Sequence, residues 1–325
     1  MDTQKIEKSK VENLLKLYGS DTLSYFYLQD NRSYFFSPTG KSCLSYKLFN
    51  KVAIVPGDPL GPVEEIPLLL KSFLEYLSVW NFSPFFIGAS SEYIKLLESK
   101  KMKTIKIGEE AIIDLSVFNY HQLKKKVRRA VRHTEELGVE VFFFNSINMP
   151  QNIRLQVTNL SADWIKGKGD QEKGFAMTLK RVPSSVGDKD CKFVVAVKDG
   201  CVLGYLGFVP CYPAKSLSLD HIRSLKNSPN GLHEFLIIKA VEYFKLNHIN
   251  KISLNFAVFS NIFDKSYSKL HLRGKLSSIF MRLYKSDTLR FFNEKFIPNW
   301  QNRYVAYFSL LYLPQYILAI LEAER

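Results

Sequence analysis

The segment Asp220-His221-Ile222-Arg223 carries the residue types with the clearest potential for chemistry in this sequence. It ends an apolar run that is typical of a strand. A carboxylate there can orient an amine or accept a proton, and an arginine can hold a phosphate through two parallel hydrogen bonds. By residue type and spacing alone, Asp220 and Arg223 are favoured as an ordinary structural ion pair, with a role in chemistry as the alternative. Side chains alternate along a strand, which predicts His221 on the opposite face in a structural role.

Six cations lie within nine residues of one predicted helix, Tyr120–Leu137. They are Lys124, Lys125, Lys126, Arg128, Arg129 and Arg132. Several are spaced four residues apart, which places them on neighbouring strips of a helix around an apolar stripe that includes Val127 and Val131. Like charges at this spacing repel unless an anion covers them, and phosphates that bind there release counterions. The run indicates a phosphate-binding helix, with a solvated helix face as the alternative.

The hydrophobic pattern predicts two α+β halves joined by this basic helix, 1–138 and 139–325. Strands in the first half are predicted at Ser24–Leu28, Ser33–Phe36, Ser42–Phe49, Val52–Val55, Phe85–Gly88 and Ile105–Leu115. Strands in the second half are predicted at Val139–Phe144, Phe193–Val197, Val202–Pro210, Leu217–His221 and Ile252–Phe256. Amphipathic helices fall between them in both halves.

The composition is that of a folded protein with an anionic partner. The 325 residues are 46% hydrophobic and 14% aromatic, which excludes a disordered chain. Lysine and arginine number 45 against 31 acids, a net charge of +14 that favours nucleic acid, an acidic membrane surface or a phosphate-bearing substrate. The four cysteines form no CxxC pair, so reduced thiols are expected.

The ends of the sequence carry no clear targeting or membrane signal. The first residues are charged and lack the apolar core of a secretory signal. The apolar stretch Val305–Leu321 contains Ser309, Pro314 and Gln315 and is at the short limit for crossing a bilayer. It therefore predicts a buried final strand and helix, with an interfacial membrane helix as the less favoured alternative.

Motifs for other reaction classes are incomplete. The turn Gly57-Asp58-Pro59-Leu60-Gly61-Pro62 lacks the Lys-Ser/Thr of a phosphate-binding loop. The segment Val202–Gly207 lacks the leading residues with which acetyltransferases bind coenzyme A, so an acetyl-CoA donor is disfavoured. No GxSxG sequence supports a serine hydrolase.

Several short motifs occur in the order found in one enzyme family. They are the Gly57–Pro62 turn, Gly108-Glu109-Glu110-Ala111, Trp164 with Glu172-Lys173-Gly174-Phe175, and the ending Phe291, Lys295-Phe296, Pro298, Trp300 and Arg303-Tyr304. Together they resemble the soluble catalytic domain of bacterial phosphatidylglycerol lysyltransferases and their alanyl relatives, over roughly Leu14 to Phe308. The chain departs from the family where His221 and Ile222 replace Leu-Met, and where Glu234 replaces or displaces an Asp. These changes leave the amino acid and the acceptor open more than the fold.

The resemblance implies a fold and a reaction. The fold class is α+β, with tandem acetyltransferase-like (GNAT) domains that each contain a mixed, mostly antiparallel sheet and flanking helices. The reaction moves an aminoacyl group, lysine or alanine, from aminoacyl-tRNA to a hydroxyl of phosphatidylglycerol or a related lipid. That ester is already activated, so no cofactor and no metal are expected. We expect a stand-alone form without the membrane-spanning half, cytoplasmic or peripheral at the inner face of the membrane.

Within this resemblance Asp220 and Arg223 are candidate catalytic residues: Asp220 orients the amino group of the aminoacyl moiety or assists proton transfer, and Arg223 holds a phosphate of the tRNA end or the lipid head. The other candidate residues also receive roles. The six cations of the basic helix are expected to bind tRNA. Glu172 is a candidate for recognising a cationic aminoacyl group and Lys173 for binding phosphate. The basic loop 166–170 is expected to close over the tRNA end or to be a plain surface loop.

Four later residues complete the predicted site. Glu234 is a candidate second catalytic carboxylate, or an acid that complements a helix dipole. Asn255 ends a predicted strand and is placed to hydrogen-bond a substrate. Lys295 and Arg303 lie beside aromatic residues, which suits phosphate binding or cations lying along an apolar surface.

Three other functions compete with the leading one. The same chemistry could serve a peptide, sterol or soluble hydroxyl acceptor. The altered residues around Asp220 and Glu234 would also suit a non-catalytic module that binds tRNA or an anionic membrane. The last alternative is a coenzyme A-dependent acetyltransferase.

Overall fold

The computed structural model describes residues 2–30, 32–167, 178, 179, 182, 188–258 and 286–323. The helices are α1 (Asp2–Tyr18), α2 (Ile66–Val79), α3 (Ser91–Ser99), α4 (Lys125–Glu136), α5 (Gln151–Gly167), α6 (Leu232–Leu246), α7 (Ser286–Asn293) and α8 (Leu313–Ala323). The strands are β1 (Ser33–Phe36), β2 (Cys43–Phe49), β3 (Val52–Pro56), β4 (Ser83–Ser90), β5 (Lys103–Asp114), β6 (Glu140–Asn145), β7 (Lys192–Lys198), β8 (Cys201–Cys211), β9 (Ser216–Ser224), β10 (Lys251–Val258) and β11 (Asn299–Tyr307).

All of these strands form one mixed sheet in the order β1-β2-β3-β4-β11-β5-β10-β9-β8-β7-β6. The pairs β3/β4 and β9/β10 are parallel, and the other neighbouring pairs are antiparallel. Strands β1-β2-β3, helix α2 and strand β4 therefore repeat the arrangement of β7-β8-β9, α6 and β10. This repeat of a mostly antiparallel sheet with a helix-connected parallel pair confirms the predicted fold class.

Strand β11 connects the end of the chain to the first half. It lies between β4 and β5, although its Arg303 is 193 residues from Glu110 of β5 in sequence. Strand β5 in turn pairs with β10 of the second half, so the sheet runs continuously through the molecule. The division into domains 1–138 and 139–325 stays a prediction.

Helix α4 packs its apolar stripe against α6. Leu123, Val127 and Val131 are buried in one cluster with the apolar face of α6. Gly231, which caps α6, has φ 94°, and a Cβ at this position would lie 2.7 Å from the Cβ of Ala130. A glycine is therefore needed where the two helices approach each other.

Several element predictions need correction. Ser24–Leu28 forms a fully buried 3₁₀ helix rather than a strand, because aromatic residues suit any buried backbone and tertiary packing decides which one forms. The basic helix begins only at Lys125, since Asn119 caps a separate 3₁₀ turn at Tyr120–Gln122. Strand β9 continues past His221 to Ser224.

The C-terminal prediction of a strand followed by a helix is confirmed by β11 and α8. Tyr316, Ala319 and Ile320 bury one side of α8 in a cluster with β3 and β11. Among the described residues, the helices are too short or too polar to cross a bilayer.

Candidate active site

The candidate site lies where strands β9 and β10 part. The two parallel strands pair only at their beginnings, Ser216–Ser218 with Lys251–Ser253, although β9 runs on to Ser224 and β10 to Val258. Each strand also shifts its register against its other neighbour just beyond this point. Open α/β sheets bind ligands beyond the carboxyl ends of parallel strands, where neighbouring strands separate. The gap between β9 and β10 is therefore the candidate ligand site.

A bulge in β9 brings Asp220 and His221 together. Against β8, the register shifts between Gly207 and Phe208, so Asp220 is the extra residue of β9. Its Oδ2 lies 3.4 Å from His221 Nδ1, and its Oδ1 accepts a 3.0 Å hydrogen bond from the amide of Leu179. Both side chains are fully buried. The prediction that His221 points away from the site is wrong, because the bulge interrupts the alternation of side chains.

One aromatic ring and two hydroxyl groups hold Arg223 next to Asp220 and His221. Its guanidinium lies over the ring of Trp164 at 5.1 Å and donates to the hydroxyls of Tyr205, at 3.3 Å, and Ser161. Burial raises the pKa of Tyr205, the charge of Arg223 opposes this rise, and the charge of Asp220 adds to it. Arg223, Tyr205 and Asp220 therefore form one electrostatic cluster, in which Arg223 is a fully buried positive charge.

Asn255 fixes the gap from the β10 side. It adopts φ 73° at the register shift in β10, and its Nδ2 donates to the carbonyl of Leu219 at 3.1 Å. Its Oδ1 accepts from the amide of Phe256 at 2.7 Å. Because Leu219 directly precedes Asp220, Asn255 positions the strand that carries the acid. The predicted contact of Asn255 with substrate stays a prediction.

Glu234 and Lys295 meet each other at the start of α6. Lys295 Nζ lies 2.7 Å from Glu234 Oε1 and 4.8 Å from the ring centre of Phe292. Beside them His233 Nε2 lies 3.0 Å from Ser224 Oγ at the end of β9, and burial lowers the pKa of His233. The structure thus places Glu234 and Lys295 in an ion pair at the end of β9. Roles for either residue in catalysis or substrate binding stay predictions.

Arg303 lies in a buried network instead of at an open surface. Its guanidinium donates to Glu110 Oε2 at 2.9 and 2.5 Å, to Asp21 Oδ1 at 2.5 Å, and to the carbonyl of Gly88 at 3.1 Å. Burial alone would lower the pKa of Arg303, but the carboxylates of Asp21 and Glu110 outweigh it and hold the pKa above its usual value. These contacts enclose the guanidinium and give Arg303 a structural role, and phosphate binding by Arg303 stays a prediction.

The same network reaches towards the site. Glu110 Oε1 accepts from Ser253 Oγ at 2.5 Å, and Ser253 Oγ accepts from the amide of Asn255 at 3.0 Å. Arg303 therefore supports the β10 register shift through two hydrogen-bonded neighbours. Nearby, burial and the charge of Asp21 raise the pKa of Asp58 to about 7, against the opposing effects of Arg303 and Ser90.

Helix α4 presents its cations to solvent. Lys124, Lys125, Lys126, Arg129 and Arg132 are exposed, whereas Arg128 is half-buried. The acid that follows the run, Glu135, is paired with Lys239 at 2.6 Å. This face is available to a polyanion, and its role in tRNA binding stays a prediction.

Two predicted site residues, Glu172 and Lys173, lie outside the described residues, as does most of the loop 166–170. Sequence reasoning missed Tyr205 and Ser161, and gave Trp164 no role. Ser161 and Trp164 are three residues apart on a predicted helix, which indicates a shared face. Tyr205 had no such signal, because its position opposite Arg223 depends on the pairing of β8 with β9.

This arrangement suits acyl transfer to a hydroxyl group. Asp220 can accept a proton from an attacking hydroxyl, and His221 lies close enough to share it. The buried charge of Arg223 can stabilise negative charge that develops in the gap, since electrostatic effects are strong where water is excluded. Within the described ranges, no group of three or more His, Cys, Asp or Glu side chains is arranged to hold a metal ion.

Known proteins resemble the chain in sequence and in fold. The protein LysX of Mycolicibacterium gilvum, named a lysylphosphatidylglycerol biosynthesis bifunctional protein, is 28% identical over 98% of this chain. LysX of Mycobacterium tuberculosis is also 28% identical over the same share. The chain spans only 29% and 28% of the lengths of these two relatives.

Two solved structures share the fold. The structure of L-PGS from Bacillus licheniformis has a TM-score of 0.83 at 23% identity, covering 98% of this chain and 95% of that one. The C-terminal domain of a putative lysylphosphatidylglycerol synthetase from Agrobacterium fabrum has a TM-score of 0.81 at 19% identity, covering 94% and 92%. The family described as "Phosphatidylglycerol lysyltransferase, C-terminal" matches residues 12–307, which is most of the chain. The chain therefore belongs to the family of phosphatidylglycerol lysyltransferase C-terminal domains.

Proposed function

We propose that this chain transfers an aminoacyl group from aminoacyl-tRNA to a hydroxyl of phosphatidylglycerol, and that the group is lysine. The observation that carries the proposal is the buried cluster of Asp220, His221 and Arg223 at the gap between β9 and β10. Family membership supports the transferase chemistry. The names of the curated relatives favour lysine over alanine.

The proposed step exchanges one ester for another. Asp220 accepts the proton of the lipid hydroxyl as its oxygen attacks the carbonyl carbon of the aminoacyl ester. The ester bond to the tRNA ribose then breaks, and the ribose oxygen takes the proton. His221, whose Nδ1 is 3.4 Å from Asp220, holds the carboxylate in place, and the charge of Arg223 stabilises the oxyanion.

The exposed cations of α4 supply a binding surface for the tRNA. Helix α4 packs against α6, and the first turn of α6 contacts the end of β9 through His233 and Ser224. A tRNA whose phosphates lie on Lys125 and Arg129 thus rests on the helix pair that adjoins the gap. Binding of this kind releases counterions and weakens as salt rises.

The test measures whether labelled lysine moves from lysyl-tRNA into the organic phase with phosphatidylglycerol vesicles. Alanyl-tRNA serves as the second donor. Asp220→Asn keeps the side-chain volume and an oxygen for the Leu179 amide, so the variant should fold normally and lose about 10²- to 10⁴-fold in kcat. Asp163→Asn, at an exposed acid of α5, is the matched control and should keep full activity.

Two other outcomes would contradict the proposed acceptor or the assigned site. If tRNA binds and no label enters the lipid, phosphatidylglycerol is not the acceptor or the site is inactive. If Asp220→Asn transfers lysine as fast as the wild type, the proton is accepted by another residue and the assigned site is wrong.

A further inference from the structure

The gap between β9 and β10 opens at the edge of the sheet where β4 and β5 begin and β11 ends. In the pairing of β10 with β5, Val258 lies opposite Gly108, so the carboxyl end of β10 points towards the beginning of β5. The beginning of β5 is paired with the end of β11, which is paired with the beginning of β4. The starts of β4 and β5, the end of β11 and the ends of β9 and β10 therefore share one edge.

This edge carries exposed apolar side chains, here called the aromatic edge patch. Its members are Val79, Trp80, Phe308, Leu311 and Tyr312. Leu311 is 88% exposed, Val79 75% and Trp80 62%. The buried residue Tyr316 joins the two segments that carry these side chains. Its ring centre lies 6.4 Å from that of Tyr312, and its hydroxyl lies 2.7 Å from the Oγ of Ser83, which is three residues after Trp80. Clusters of exposed apolar residues on a folded protein usually mark a binding surface.

Exposed lysines border the aromatic edge patch. Lys103 begins β5 opposite Tyr307, which directly precedes Phe308, and Lys101 lies in the turn before it. Lys51 accepts a 2.8 Å hydrogen bond from the amide of Ser83 through its carbonyl and has an exposed side chain. An acid in the same region, Glu98, accepts a 2.6 Å hydrogen bond from Thr104.

We propose that the aromatic edge patch and its lysines dock onto a bilayer surface that contains anionic phospholipid. Trp and Tyr prefer the boundary between headgroups and acyl chains, and adjacent lysines are attracted to anionic headgroups. A protein partner fits less well, because protein interfaces are depleted in lysine, and the cations that border this patch are lysines.

The aromatic edge patch lies at the edge of the sheet where the candidate active site opens. This step rests on the proposed transferase activity. Strand β9, which carries Asp220, is two strands from β5 in the sheet. Neighbouring strands are about 4.8 Å apart, so β9 lies about 10 Å from β5 across the sheet. Lys103 also lies about 25 Å further along the strands than Asp220, because Ile112 of β5 is level with Ser218 of β9 through Ser253. Docking would therefore place the bilayer beyond the ends of β9 and β10, at the open end of the gap.

The test measures binding of the full chain to vesicles by sedimentation, using phosphatidylcholine alone and an equal mixture with phosphatidylglycerol. Each lysine near an anionic surface contributes about fivefold, so Lys101→Gln/Lys103→Gln should bind the mixed vesicles about 25-fold more weakly. Trp80→Ser/Leu311→Ser should weaken binding to both kinds of vesicle by about tenfold or more.

Matched controls come from the opposite edge of the sheet. Leu246, 80% exposed at the end of α6, and Lys215, exposed before β9, are changed to Ser and Gln in one variant. Its vesicle binding should equal that of the wild type. The docking proposal is overturned if the wild type binds neither vesicle, or if the patch variants bind within about twofold of this control. It is also overturned if Trp80→Ser/Leu311→Ser abolishes self-association and leaves vesicle binding intact, since the patch would then join two copies of the chain.

Lysine transfer measured in parallel separates this proposal from the proposed function. If only docking is wrong, the patch variants label vesicle lipid as fast as the wild type. If only the transferase proposal is wrong, the patch variants lose vesicle binding although the wild type itself labels no lipid. When both hold, the patch variants transfer lysine slowly to vesicles and normally to phosphatidylglycerol dispersed in detergent micelles.

Discussion

Replacement of Arg303 by methionine would remove the cation from the buried network at the junction of β5 and β11. The side chain of Glu110 is fully buried and that of Asp21 is 10% exposed, and both accept hydrogen bonds from the guanidinium. Methionine fills a similar volume without a charge. The change therefore leaves two carboxylates near each other without their main cationic partner.

The expected cost in stability is large. Removing one partner of a buried ion pair typically costs about 3–5 kcal/mol, because the remaining charge stays buried. Two carboxylates depend on Arg303, which places Arg303→Met at the upper end of that range. Arg303→Lys keeps the charge and loses the planar fork, so a smaller loss of about 2 kcal/mol is expected.

Urea unfolding at pH 7.5 measures these free energies. A double variant, Glu110→Gln/Arg303→Met, should be more stable than Arg303→Met alone by about 2 kcal/mol, since one uncompensated carboxylate is gone. Lys71→Met is the control, because Lys71 pairs with Glu75 at 3.9 Å on the surface and should change stability by less than about 0.5 kcal/mol.

A different pattern would refute the structural role of Arg303. If Arg303→Met unfolds within about 1 kcal/mol of the wild type and instead binds tRNA or lipid about tenfold more weakly, the residue is a substrate ligand, as the sequence alone suggested. The buried ion pairs would then not describe the working state of the protein.

Three further predictions concern the basic helix, the raised pKa of Asp58 and the β10 register shift. Lys125→Glu/Arg129→Glu should weaken tRNA binding at least about tenfold, measured by filter binding. The slope of log affinity against log salt concentration should become less steep by about two. Relative to the wild type, Asp58→Asn should be more stable at pH 8 than at pH 4 by about 4 kcal/mol in urea unfolding, because about three pKa units separate the folded and unfolded states. The pKa of Asp58 is raised to about 7 in the folded state, so the stability it contributes is lost as pH rises from about 4 to 7. Asn255→Ala should cost about 2 kcal/mol and Asn255→Gly about 1, because both lose the bond to Leu219 but only alanine is strained at φ 73°.

Each of these predictions has a result that contradicts it. Unchanged tRNA affinity would show that α4 is an ordinary solvated helix, and Lys215→Glu/Lys251→Glu tests whether any loss reflects net charge alone. An Asp58→Asn effect that is equal at the two pH values would exclude the raised pKa as its cause. Equal losses for the two Asn255 variants would exclude backbone strain.

The basic helix and the C-terminal helix show how much the sequence could predict. The face of α4 follows from a 3.6-residue spacing of apolar residues, which is a local property, so its buried stripe and its exposed cations were both predicted. The final strand and helix followed from the length of an apolar stretch broken by Pro314. The family was recognised from short motifs whose order survives divergence, and the match over residues 12–307 confirms it.

Such local patterns do not predict the geometry of the candidate site. Asp220 and Arg223 were predicted as site residues, but the contact between Asp220 and His221 depends on a bulge that is visible only against β8. The same holds for Asn255, whose backbone is set by the register shift between β10 and β5.

By itself, then, the sequence determined the helices with one apolar face, the α+β fold class, the excess of positive charge and the family. Tertiary structure alone decided that β11 inserts between β4 and β5, that Arg303 pairs with Glu110 across 193 residues of sequence, and that the strands beside Asp220 part. Local periodicity encodes which side of an element is apolar. Strand partners and registers depend on contacts between distant segments, and no spacing within a single segment records them.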